Sequence, residues 1–105
     1  MFVELHPFPY YFYILTNKNK TVLYCGVTNN LQQRLLEHKQ QEGNIKSFTG
    51  RYNCHFLIYY EGFSFINDAI RREKEVKAWR REKKELLINV KNPQRNFLND
   101  SASFD

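Results

Sequence analysis

Cysteine is scarce in this sequence, and the two present do not cluster. Cys25 and Cys54 stand apart, with no C-x-x-C pair and no neighbouring Cys/His group, which argues against a zinc site and a secreted disulfide scaffold. No apolar run is long enough to span a bilayer. No charged segment followed by a long apolar stretch opens the chain, so no signal peptide is expected and the cytoplasm is the expected compartment. Internal repeats, low-complexity tracts and a second domain boundary are lacking too. What remains is 105 residues, enough for one domain with one core. Hydrophobic residues make up 42% and aromatics 16%, as a folded globule requires. The formal net charge of +5 favours polyanionic partners, nucleic acid first.

The stretch 22–38, VLYCGVTNNLQQRLLEH, is the centre of the pattern. It begins as a strand, passes through a Gly-Val-Thr-Asn-Asn turn and enters an amphipathic helix expected over residues 30–41, stopping near Gly43. Asn29 is the expected N-cap, with Gln32 as its capping-box partner. At about 100° per residue, Leu31 and Leu35 share one face and Arg34 and His38 flank it. The phenol of Tyr24 is thereby aimed at a guanidinium and an imidazole. Such a cluster suits an anion and a mobile proton.

Upstream, residues 1–9 read as a lead-in stiffened by Pro7 and Pro9, with His6 at the surface. Residues 10–16 and 22–27 are rich in β-formers and are joined by the polar turn 17–20, which predicts a hairpin. The connector 46–53 (KSFTGRYN) reads equally as a solvated loop or as a phosphate-contacting one through Lys46 and Arg51. A third strand is expected over 55–60, with a structural His55 at its start.

Ser64 is the expected cap of a second helix reaching about residue 81, with Phe65, Ile66, Ala69, Ile70 and Val76 as its apolar stripe. Glu73 interrupts that stripe. Helix geometry favours an ion pair with Lys77 at i+4; a metal ligand on the floor of a cleft is the alternative. The basic run 77–84 (KAWRREKK) is either a solvated face or a track for phosphates, through Lys77, Arg80, Arg81 and Lys83. A short helix over 85–90 ends before Pro93, and 99–105 reads as a tail.

Tyr11-Phe12-Tyr13 and Tyr24-Cys25-Gly26 resemble the two name triplets of the GIY-YIG nuclease family, with Tyr11 in place of the glycine and Cys25 in place of the isoleucine. The intervals from Tyr13 to Tyr24 and from Tyr24 to Arg34 also match that family. The resemblance spans most of the chain, with a nuclease-like domain expected over 10–98. It is strongest to the short stand-alone bacterial members and is similar to the N-terminal nuclease domain of the excision-repair incision subunit. It implies an α+β fold, a small three-stranded, mainly antiparallel sheet flanked by helices.

Ala-Ile-Arg-Arg-Glu (69–73) looks like the segment carrying the family's acidic metal ligand, which puts Glu73 at the metal and makes the offset Glu75 a control. Asn96 resembles a late asparagine that braces the site, and Gly26 is the supporting glycine of the second triplet. With a single well-placed carboxylate, one loosely held Mg²⁺ or Mn²⁺ fits better than a two-metal cage. Arg34 would clamp the scissile phosphate. Tyr13 is the first choice of general base, Tyr24 orients the water or phosphate and His38 shares a proton or holds a tyrosine hydroxyl; the base stays open among these three. The function implied is metal-dependent hydrolysis of DNA, double-stranded or branched, with a place in DNA repair. Two alternatives stand beside it: a non-catalytic nucleic-acid-binding module of the same fold, and an adaptor whose aromatic lead-in (FPYYFY) docks on a protein partner.

Overall fold

Seven consecutive residues, Tyr10–Thr16 (β1), form the middle strand of the sheet, and all but the first are buried. A strand covered on both faces reads as an unbroken apolar run, which is what YYFYILT is. The computed structural model describes residues 8–102, so His6 and the start of the lead-in lie outside the described residues, as do 103–105. Leu23–Thr28 (β2) and Phe56–Phe63 (β3) flank β1 antiparallel, in the order β2-β1-β3. Helix Leu31–Gln40 (α1) follows β2, and a short turn of helix, Phe48–Arg51 (α2), sits inside the basic connector expected to be irregular. Ile66–Lys77 (α3), Arg81–Lys91 (α4) and the turn Asn99–Ala102 (α5) complete the α+β fold, so helix continues past residue 98 into the expected tail.

Two apolar clusters occupy the two faces of the sheet. Tyr11, Tyr13 and Leu15 of β1 meet Leu31 and Leu35 of α1. Phe12 and Ile14 meet Val76 of α3 and Ile88 of α4. Alternation along a strand dictates this split. In β3 it is broken by one extra residue: Ile14 pairs with Tyr59 and Leu15 with Leu57, leaving Ile58 bulged. Both Ile58 and Tyr59 therefore join the α3/α4 cluster. The carbonyl released at Ile58 accepts from Asn92 Nδ2 at 2.9 Å. Asn92, only 5% exposed, also donates to the Asn96 carbonyl, while Asn96, expected to brace the site, is itself exposed. Asn99 adds a second pin, accepting from Leu57 N and donating to the His55 carbonyl, both at 2.9 Å.

Three local expectations shift. The α1 cap is Asn30, not Asn29: its side chain accepts from Gln33 N at 3.0 Å, while Thr28 Oγ1 accepts from Asn30 N. α3 starts after Phe65 with no side-chain cap, so Ser64 does not serve. Its stripe is also narrower than expected: Ala69 and Val76 are buried, whereas Phe65, Ile66 and Ile70 stand at the surface.

The second helix does not reach residue 81, because Ala78 closes α3 and Arg80 is extended. A single helix from 66 to 91 would be about 39 Å long, while a seven-residue strand spans about 23 Å. The break folds α4 back so that Ile88 reaches the same cluster as Val76. Trp79 packs at the joint, with the Arg72 guanidinium 5.4 Å and the Lys83 ammonium 4.2 Å from its ring centroid. No helix among the described residues is long and apolar enough to cross a membrane.

Candidate active site

Register brings the first pieces together. Tyr13 pairs with Gly26 across the hairpin, and its phenol ring lies over that glycine. A Cβ on Gly26 would fall 2.5 Å from both Cζ and Oη of Tyr13, a distance no side chain tolerates. Opposite, α1 presents Leu31, Leu35 and His38 as its buried face, so His38 lies within the stripe rather than beside it. Tyr13 Oη is 2.9 Å from His38 Nε2, and His38 Nδ1 is 3.1 Å from Thr49 Oγ1 of α2.

Burial decides the proton positions in this chain. It pushes the Tyr13 phenol far up, with Tyr24 adding to the rise and Arg34 only partly opposing it. Burial also lowers His38, and Arg34 adds to the effect. With both groups neutral, the chain closes in either of two ways: the phenol donates to Nε2 and Nδ1 donates to Thr49 Oγ1, or Nε2 donates to the phenol oxygen and Thr49 donates to Nδ1. Kept a neutral phenol by burial, Tyr13 is poorly suited to be the general base expected of it.

Neutral His38 has a consequence for stability. Its folded pKa lies below the ordinary 6.5, so the unfolded chain binds the proton first as pH falls. Its contribution is fully present above 6.5 and is lost progressively on acidification toward the depressed folded value. Acidification from neutral pH should therefore lower the melting temperature of the wild type more than that of His38→Gln. Equal acid sensitivity in paired melting curves would contradict this placement.

Tyr24 occupies the open part of the site. Its ring centroid is 5.6 Å from that of His38 and 6.4 Å from that of Tyr13. On one side a cleft of about 450 Å³ is lined by Tyr24, Arg34, His38, Phe48 and Thr49 among others. On the other, a cavity of about 390 Å³ is lined by Tyr24, Cys25, Phe48, Lys77 and Lys84 among others. Arg34 is half exposed and makes only a 3.6 Å pair with Glu37 one helical turn on. Such exposed pairs are worth little, so the guanidinium can turn to an anion in the cleft.

Glu73 projects from α3 between the fully buried Ala69 and Val76, and its side chain is 17% exposed. Neighbouring Arg72 bonds both carboxylate oxygens of Glu61 on β3 at 2.9 and 3.0 Å, which fixes the rotation of α3 on the sheet. The charge of Glu73 reaches Tyr13 and Cys25, raising both. Among the described residues its close cation is Lys77 Nζ at 3.8 Å, the i+4 partner expected from helix geometry but loosely held. Glu75, by contrast, is half exposed and pairs with Arg72 at 3.0 Å.

No group of three His, Cys, Asp or Glu side chains gathers among the described residues. One half-buried carboxylate with a loose partner suits a hard cation that keeps most of its waters, such as Mg²⁺, and not a closed zinc site. Both cysteines are free and buried, and burial pushes each thiol up to about 11. They are inert packing residues.

The model of the GIY-YIG catalytic domain matches residues 9–86, the segment that carries every one of these side chains. The chain is a member of the GIY-YIG family. It is 37% identical over 79 residues to a UPF0213 protein of Bacillus pumilus, covering 75% of this chain and 78% of that one. A UPF0213 protein of Natronomonas pharaonis is 38% identical over 79 residues, covering 75% of this chain and 89% of the relative. The solution NMR structure of a UPF0213 protein from Bacillus halodurans is similar with a TM-score of 0.52 and 32% identity, covering 81% of this chain and 87% of that one.

Within this GIY-YIG domain the structure sorts the expected cations. Lys77 lines the second cavity, and Lys46 and Arg80 are exposed. Arg51 is instead folded back onto the Ile45 carbonyl through Nε and Nη2. Arg81 bonds Glu85 and the carbonyls of Thr21 and Lys20, tying α4 to the hairpin turn. Lys83 lies over Trp79. Three residues of the site are not among those the sequence singles out: Thr49, Phe48 and Lys84, although Lys84 closes the basic run 77–84.

Proposed function

We propose that the protein hydrolyses nucleic-acid phosphodiester bonds in the cleft between α1, α2 and the β2 edge, with Glu73 holding a divalent cation. The carrying observation is the convergence of Tyr13, Tyr24 and His38 beside a cleft that Arg34 also lines, within the segment that matches the GIY-YIG catalytic domain and that includes Glu73. Arg34 takes the scissile phosphate, its planar fork matching two oxygens. Tyr24, in the open cleft, orients the attacking water and, acting as its phenolate, takes up the water's proton. Tyr13, His38 and Thr49 form the buried chain that holds the site's floor in place. A bound Mg²⁺ or Mn²⁺ supplies Lewis-acid stabilisation of the phosphate and the departing oxygen. Lys46, Lys77, Arg80 and Lys84 supply the surrounding positive field, and Lys83 keeps its charge at the same surface. DNA is the substrate this reading favours.

The test is incubation of a labelled DNA oligonucleotide with the protein in Mg²⁺, Mn²⁺ or EDTA, with binding followed in parallel. Cleavage in either cation that EDTA stops is expected. Salt-sensitive binding that survives EDTA with no cleavage in any condition would reject hydrolysis and leave a binding module.

A further inference from the structure

Three aromatic rings run outward from the site. Tyr24 and Phe48 are stacked, with centroids 5.9 Å apart and planes at 29°. Phe48 and Tyr52 follow at 4.9 Å and 51°. Phe48 is 49% exposed and Tyr52 43%, so half of each large ring contributes nothing to the core. They are nevertheless held firmly. Ser47 Oγ caps α2 by accepting from Gly50 N at 3.0 Å, and Cys54 N donates to the Thr49 carbonyl at 2.8 Å. Arg51 closes the loop on Ile45, and Thr49 ties it to His38. These rings are presented by a rigid mount that the active-site hydrogen-bond chain itself anchors.

Charge flanks the rings on both sides. Phe48 lines the cleft that holds Arg34 and also the cavity that holds Lys77 and Lys84. Alternating cations and exposed ring faces are the features on which a flexible polyanion with free base faces lies down. A duplex keeps its base faces stacked inside and offers only edges and phosphates.

We propose that Tyr24, Phe48 and Tyr52 form a stacking ladder for unpaired bases of single-stranded nucleic acid, feeding the phosphate site beside Arg34. This rests on the functional reading above for the place of the phosphate. It makes an unpaired strand, or the unpaired arm of a branched molecule, the substrate class, in place of fully paired DNA.

The test uses the full chain carrying Glu73→Gln, so that no strand is consumed, and reads anisotropy of labelled short oligothymidylate, oligouridylate, duplex and abasic chains at one salt concentration. A single strand of either sugar should bind more tightly than the abasic chain by about five- to 150-fold. That advantage should shrink in Phe48→Leu and in Tyr52→Leu, with the salt dependence unchanged. The abasic comparison alters no protein residue, so a variant that fails to fold does not remove the test. Abasic and base-bearing strands binding alike, or duplex binding best with both variants unimpaired, would overturn the ladder. An apolar protein captured at these rings, with no base dependence, would overturn it in favour of a protein partner. Base-dependent binding here, with no cleavage by the wild type in the oligonucleotide assay above, would uphold the ladder and reject the nuclease. Cutting of duplex by the wild type in that assay, unaffected by Phe48→Leu, would do the reverse.

Discussion

Replacing Glu73 with glutamine is expected to lower metal-dependent cleavage by on the order of a hundredfold or more while leaving the fold nearly as stable. Glu73 lies between Ala69 and Val76, where a carboxylate gives up hydration and gains little. The close cation among the described residues is Lys77 at 3.8 Å, itself 68% exposed, and such pairs contribute about 1 kcal/mol at most. An isosteric neutral side chain should therefore shift the melting temperature by no more than about 5 °C. The proposed cation would explain a residue that costs burial and returns little stability. Single-turnover cleavage beside thermal melts checks both halves. A large stability loss with cleavage intact would make Glu73 a packing and ion-pair residue after all.

Gly26→Ala should have the opposite signature, losing stability and activity together. The added Cβ would meet Tyr13 Cζ and Oη at 2.5 Å. Tyr13 is 1% exposed and its hydroxyl is engaged by His38 at 2.9 Å, so the ring can yield only by breaking that bond and disturbing the core. Overpacking of this kind costs about 1–3 kcal/mol, or roughly 5–20 °C in melting temperature for a domain of this size. Gly26 stays glycine because a phenol fills the volume its side chain would occupy. Adding Tyr13→Phe should restore part of the stability, since removing Oη relieves one of the two closest contacts, and none of the activity. Melting curves of the single and double variants decide this.

Much of this arrangement is legible in the residues because it depends on period and interval. The unbroken run 10–16 marks a strand covered on both faces, and Leu31, Leu35 and His38 recur at helical spacing. The phase of Glu73 relative to Glu75 follows from the same period, and the structure keeps it. Tertiary effects were less legible. Helix propensity carries α3 through residues 78–80, whereas the break there depends on the length of the sheet and on where Trp79 packs. The bulge at Ile58, whose carbonyl accepts from Asn92, has no local marker, since Leu57-Ile58-Tyr59 is uniformly apolar. Thr49 and Phe48 sit in a polar connector whose composition suggests solvent. Their role depends on where α2 lands beside Tyr24 and His38. Tyr13 also looks identical to Tyr24 in sequence, and only burial separates a phenol held against His38 from an open one.

The most direct measurement is nicking of supercoiled plasmid in Mg²⁺ and Mn²⁺ by the wild type beside Glu73→Gln and Glu75→Gln. Nicking that EDTA stops, lost with Glu73 and kept with the outward-facing Glu75, is the expected result. Equal nicking by all three proteins, or plasmid bound but left intact by the wild type in both cations, would contradict a Glu73-centred nuclease.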